Sequence, residues 1–453
     1  MKEKSWKEVK LWKRWKVILL VLSSIFFAIF LGVLFLSPLK VILVKPSKTL
    51  SEEERLDGFV KLWDTVKNHF VYFDQVSALD WDKVLEEYKP KVKAAQTAAE
   101  YYNVLQEMMA LLKDGHTSVL SPFFFNPFYR AIPPFQLRGI EGRIIITEVR
   151  KGDPDIQAYG LQPGMEVIAI NGKSINEVLK EVMVCISAST SQALELKSYQ
   201  QLLMGYKGTY INLTVKDAKG NKRSVKLKRK VNFHEMLCYL GIFCDLVESH
   251  YLEDKIGYIH IRNFITEGVI KEFDQALDKL METEGLILDL RSTLGGNSRY
   301  SFSVAGRLID GAIPGFKILI NKTGKINESE LPLIKTIKPR GKPYLKPVVV
   351  LVDAGTVSAT ENALVGLHYS KRVLIVGEAT CGSTGQPVFI KLPYEGKARI
   401  CASISAYPDG KPFVGVGIIP DVKVHPTIDG ISSDKDEVLE KGIEIVKELI
   451  REL

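Results

Sequence analysis

The chain has 453 residues, 46% hydrophobic and 25% charged, with a formal net charge of +8. That length holds more than one hydrophobic core, which excludes a small disulfide scaffold and a disordered polyelectrolyte. Residues 1–16 carry seven cations against Glu3 and Glu8, so they account for +5 of the +8. The excess is local, and no nucleic-acid partner is read from it.

After this basic tail, residues 17–36 run without a charge. At about 1.5 Å per residue, a helix of that length crosses a hydrocarbon core of roughly 30 Å. The cations ahead of it stay cytoplasmic, so the rest of the chain is expected on the far side. A cleaved signal peptide would have a shorter apolar run and small residues at its cleavage site. Here Ser37-Pro38-Leu39-Lys40 follows instead. The expectation is a single-pass cell-membrane protein. Residues 17–36 lie in the lipid bilayer, 37–50 form a linker, and everything beyond is extracellular.

Residues 51–130 read as a helical domain. Ser51-Glu52-Glu53-Glu54 is a capping-box start, and Leu56, Phe59, Val60, Trp63, Val66 and Phe70 follow at helical spacing. A second helix begins near Asp80-Trp81. A third follows Thr97 and carries Tyr101, Tyr102, Leu105, Met108, Met109 and Leu112 as core. Gly115 is expected to stop it. His116 would then stand just past the helix, on a loop, with Asp114 beside it either to orient or tune its imidazole or simply as a helix-end residue.

Residues 131–231 form a separate β-rich unit. Residues 142–149 alternate as a strand, Pro163-Gly164 turns into another, and Asn171-Gly172 is a hairpin turn. The string GLQPGMEVIAINGK resembles a PDZ domain. Such a domain adds a peptide to a sheet edge beside a groove. By that resemblance, Phe135, Gln136 and Leu137 lie at the peptide-binding loop. Five cysteines leave at least one unpaired within the chain. Spacing alone allows Cys238–Cys244 and Cys381–Cys401, and buried thiols are an equal alternative. No CxxC or His-Cys cluster suggests a metal.

Residues 245–432 alternate strands and helices, as an α/β core. Residues 256–261 and 285–290 are strands with a helix over 269–280 between them, and Gly295-Gly296 follows the second strand. Residues 348–352 are an unbroken apolar run suited to a strand buried on both faces. Ser358 comes next, ahead of a helical stretch from Glu361. A serine between a buried strand and a helix N-terminus is either an N-cap or a nucleophile with free N–H groups beside it. Residues 433–453 are an amphipathic helix that packs on the core or joins a homo-oligomer.

Taken in order, DGHT, the PDZ-like unit, GLILDLRSTLGG, LVDAGTVSATE and GEATCGSTG resemble the C-terminal processing (tail-specific) and tricorn-core serine peptidase family. The resemblance covers about residues 50–453. It implies an α/β core of the ClpP/crotonase type and no cofactor. It places the nucleophile on Ser358 and the oxyanion-hole N–H groups on Gly296 and Ala359. The bacterial and plastid branch uses a lysine twenty-five residues after the nucleophile, where this chain has Ser383. The tricorn-like branch uses a histidine from the helical region, which His116 matches. Asp114, Glu361 and Ser383 are the candidates for orienting that imidazole. The implied function is a membrane-anchored serine endopeptidase acting on unstructured or C-terminal protein segments. The alternative is a non-catalytic peptide- or lipophile-binding protein on the same fold.

Overall fold

The computed structural model describes residues 45–123, 131–230, 244–252, 255–320 and 333–453. The expected basic tail and membrane span at 1–36 lie outside the described residues. Among the described residues, no helix is long and apolar enough to cross a membrane.

Three helices, Glu52–His69, Trp81–Ala94 and Ala98–Ala110, open the described chain. Each start has the side-chain acceptor its sequence supplies. Ser51 and Glu54 form a reciprocal capping box, Asp80 accepts from Lys83 N–H, and Thr97 accepts from Glu100 N–H. Phe59, Val66, Tyr101, Tyr102, Leu105, Met108 and Met109 are buried as expected. Val60 is not: it is 45% exposed, because Leu62 takes the inward position of that turn. Gly115 does not stop the third helix either. The helix ends at Ala110, and Lys113 adopts the left-handed conformation, with φ 48°.

The β-rich unit is an antiparallel sheet. Its strands run Phe135–Ile140, Arg143–Val149, Glu166–Ile170, Tyr210–Lys216 and Lys222–Lys228 in spatial order. Asn171 (φ 49°) and Gly172 (φ 84°) form the tight turn that returns the chain as Lys173–Ser174 against Glu166–Ile170. Phe135 and Leu137 point into this unit's own core, while Gln136 is exposed and donates to Glu148. Three helices, Pro154–Tyr159, Ile175–Met183 and Ser191–Leu203, interrupt the strands. The sequence reading did not separate them.

The remaining chain builds a six-stranded sheet in the order Val422–Lys423, Leu374–Gly377, Val348–Val352, Gly285–Asp289, Ile256–Ile261 and Val247–Tyr251. All pairs are parallel except the last. Val348–Val352 sits inside the sheet with all five residues buried. Val348, Val350 and Val352 join one apolar cluster, and Val349 and Leu351 join another on the opposite face. The C-terminal helix Glu437–Arg451 covers that second face through Val438, Ile445 and Val446, so its apolar stripe is used within the chain. Cys381 and Cys401 are free buried thiols rather than a pair, and the Cys401 thiol faces the carbonyls of Thr384 and Ser403. Cys244 is disulfide-bonded. Cys238 lies outside the described residues.

Candidate active site

The carboxyl ends of Gly285–Asp289 and Val348–Val352 lead into neighbouring turns, where open parallel sheets place their ligands. These turns are tied together. Asp353 accepts from the Ser292 N–H at 2.7 Å and the Gly355 N–H at 2.9 Å, and Thr356 Oγ1 donates to the Leu290 carbonyl at 2.7 Å. The chain then reaches Ser358 at the start of the helix Ala359–Tyr369.

Ser358 occupies the N-cap position, but its backbone has φ 63° and ψ −120°. An ordinary N-cap is extended, so this conformation carries strain that its surroundings must hold. Two acceptors hold it. The Ser358 N–H lies 3.1 Å from the Ser383 carbonyl and 3.0 Å from Glu361 Oε2. A sharp strand-to-helix turn of this kind presents a hydroxyl at the top of the sheet. The short strand Leu294–Gly296 closes over it, pairing in parallel with Asn263–Phe264. Both glycines are required. A Cβ on Gly295 would collide with Ser358 Cβ and lie 2.9 Å from the Ala359 nitrogen. Gly296 has φ 147°, and a Cβ there would strike the Phe264 carbonyl. Gly295 thus lies against Ser358 and the Ala359 nitrogen, and Gly296, the other expected oxyanion donor, is the next residue along that strand.

His116 comes from the helical domain and is 8% exposed. Its Nε2 is 3.1 Å from Ser358 Oγ, and its Nδ1 is 2.8 Å from Ser383 Oγ. Of the three candidates for orienting the ring, Ser383 is the one that reaches it. Asp114 instead accepts from the His116 backbone N–H at 3.3 Å and from Thr117 Oγ1 at 2.5 Å. Glu361 acts from behind. Its two oxygens accept from Thr380 Oγ1 and the N–H groups of Gly382, Ser383 and Ser358. Gly115 now has a reason that helix termination did not supply: a Cβ there would meet Ser383 Oγ at 2.5 Å.

The electrostatics favour a neutral imidazole. Burial holds His116 well below the ordinary histidine range, and the nearby cations Arg399 and Lys197 push it in the same direction. Burial raises the Glu361 carboxyl to about 7, against four donors that favour its ionised form. Burial likewise raises Asp114. Arg399 fixes the histidine loop, donating to the Gly115 carbonyl at 2.8 Å and to Ser118 Oγ at 3.0 Å. Arg399 and Lys197 escaped the sequence reading, since both are remote from His116 in the chain and no motif marks them. Among the described residues, no group of three or more His, Cys, Asp or Glu is arranged to hold a metal ion.

Comparison with known proteins agrees with this architecture. Residues 51–110 match the tricorn protease C1 domain, 129–254 a PDZ domain, and 255–424 peptidase family S41. The chain is 25% identical over 399 residues to carboxyl-terminal-processing peptidase 3, chloroplastic, of Arabidopsis thaliana, covering 84% of this chain and 71% of that one. It is 28% identical over 292 residues to the carboxy-terminal processing protease CtpA of Bacillus subtilis, covering 64% and 54%. Among solved structures, mature CPAF complexed with lactacystin shares the fold. It has a TM-score of 0.72 and 16% identity, over 89% of this chain and 99% of that one. The photosystem II D1 C-terminal processing protease aligns with a TM-score of 0.52 and 21% identity, over 84% and 96%. Residues 255–424 therefore carry a peptidase family S41 core, and the chain is a serine-type peptidase that joins this core to a tricorn C1-type helical domain and a PDZ domain.

Proposed function

We propose that this chain is a membrane-anchored serine endopeptidase that cleaves unstructured or C-terminal protein segments by Ser–His acyl transfer. One observation carries the reading. His116 bridges Ser358 Oγ at 3.1 Å and Ser383 Oγ at 2.8 Å, with one ring nitrogen on each. With the Nδ1 proton donated to Ser383, Nε2 is the free base facing the nucleophile. His116 takes the Ser358 proton as Oγ bonds to the peptide carbonyl carbon, and the N–H groups of Gly296 and Ala359 receive the oxyanion. The protonated imidazole passes its proton to the leaving amine as the C–N bond breaks. Water, deprotonated by the same nitrogen, then releases the acyl group and restores Ser358. The PDZ domain is the peptide-binding module, on the edge strand Phe135–Ile140. The charge-free run at 17–36 supports the anchor and an extracellular catalytic part.

The test is cleavage of an unfolded protein substrate by the full chain in membranes or detergent. Ser358→Ala and His116→Ala should each lower kcat on the order of 10⁴–10⁶-fold with the fold retained. Cleavage at the parent rate by either variant would remove that residue from the mechanism. A serine-directed fluorophosphonate should label the parent at Ser358, and absence of labelling would favour the binding-protein alternative. Release of the protein from membranes by high salt would overturn the anchor.

A further inference from the structure

Within residues 189–192 of the PDZ unit, three side chains reach out of that unit and bond to the candidate active site from both sides. Ser189 Oγ accepts the Gly115 N–H at 2.9 Å and donates to Asp114 Oδ1 at 3.1 Å. Thr190 Oγ1 donates to the Cys381 carbonyl at 2.9 Å. Gln192 Nε2 donates to the Thr380 carbonyl at 3.0 Å and the Val416 carbonyl at 3.2 Å. Asp114 and Gly115 immediately precede His116. Thr380 and Cys381 lead to Ser383. One short stretch therefore holds the two segments whose tips carry the imidazole and the hydroxyl that orients it. The contact is reinforced by apolar burial, since Ala188 and Ala193 pack with Cys381 against Val357, the residue before Ser358.

We propose that Ser189, Thr190 and Gln192 are positioning residues that hold His116 Nδ1 in register with Ser383 Oγ, so that the PDZ unit completes the base side of the site. This rests on His116 being the base. The physical reason lies in the partner chosen by this chain. A carboxylate offers an imidazole two charged oxygens and tolerates small displacements, whereas a serine offers one neutral acceptor. The His116–Ser383 bond therefore depends on where the two loops stand. Displacement of about 1 Å in such an arrangement costs on the order of 100-fold in rate. Ser191–Leu203 is the anchor for the stretch, because Thr190 is its N-cap and accepts from the Ala193 N–H.

The experiment uses the full chain with a fluorogenic peptide. Ser189→Ala and Thr190→Val are expected to lower kcat between about tenfold and 100-fold, with KM within about twofold of the parent. Ser189→Thr and Thr190→Ser, which keep the hydroxyls, should recover most of it. In a Ser383→Ala background, Ser189→Ala should cost less than about twofold more, since its target is gone. An unchanged kcat in Ser189→Ala, or the same loss in full on top of Ser383→Ala, overturns the proposal. Should the parent itself neither cleave nor react with fluorophosphonate, the peptidase reading has failed, and the imidazole ¹⁵N–¹H resonance of His116 still decides the positioning. It moves in Ser189→Ala if the stretch sets the ring, and a resonance that stays in place refutes the idea.

Discussion

Phe59, Leu62, Tyr101 and Leu105 of the helical domain bury in the same apolar cluster as Ile259, Leu288 and Val350 of the central sheet. The PDZ unit keeps Ile146, Leu202, Ile211 and Leu213 in a cluster of its own. It meets the rest of the chain through Arg138 to Glu378 at 2.5 Å, the bonds of Ser189, Thr190 and Gln192, and a small apolar patch where Ala188 and Ala193 pack with Cys381 and Val357. The two units thus serve one site on different terms. The helical domain supplies His116 from a core that cannot separate from the sheet without exposing apolar surface. The PDZ unit supplies bonds to the loops beside His116 and Ser383 from a body with a core of its own.

Breaking each core is the strongest test of this contrast. Leu105→Ala should cost about 2–5 kcal/mol and lower the temperature at which the helical domain and peptidase core unfold together. A separate melting step for the helical domain would contradict the shared cluster. Leu213→Ala should cost a similar amount but confine it to the PDZ unit, which would melt first in calorimetry while the main transition stays in place. A single merged transition would mean that the polar interface couples the units more tightly than their separate cores suggest.

Lys197 sharpens the comparison electrostatically, because this PDZ-helix cation lies near a histidine of the other domain. With His116 held low by burial, Arg399 and Lys197, its neutral form persists at acidic pH. The acid limb of kcat/KM should therefore lie below the ordinary histidine value of about 6.5. Lys197→Met removes a cation that disfavours the imidazolium, so the limb should move to higher pH. No movement would show that the PDZ helix does not sense the ring. The smallest effect is expected at Arg138→Gln. An ion pair of that partial exposure contributes no more than about 1 kcal/mol and is weakened by salt. A cost above that would make the pair a principal tie between the units.

How much of this was legible in the chain differs from residue to residue. The helix starts at Ser51, Asp80 and Thr97 could be read because a cap is a local bond between near neighbours. Val348–Val352 could be read because a strand buried on both faces leaves an uninterrupted apolar run. Ser358 could be read as a strand–helix junction, though not its positive φ, which is held by the distant Ser383 carbonyl as well as by Glu361 three residues on. Gly115 was assigned to helix termination because glycine usually serves there, whereas the space it leaves is filled by Ser383, 268 positions later. Ser189, Thr190, Gln192, Lys197 and Arg399 carry no motif, and side chains of these types are ordinary surface residues unless folding brings a partner.

The sequence by itself determined the caps, the apolar periods, the turn chemistry and the order of the motifs, because each depends on residues close together along the chain. It also supplied Ser358, His116 and the glycine pair. The tertiary structure decided what those residues do to one another. Asp114, Glu361 and Ser383 stood equal in the sequence, and the fold brings Ser383 to the imidazole while turning Asp114 to a backbone N–H and Glu361 to the backbone beneath the serine. A hydrogen bond requires its atoms within about 3 Å. Whether residues 116, 358 and 383 reach that distance depends on the packing of three units and is recorded in no local pattern.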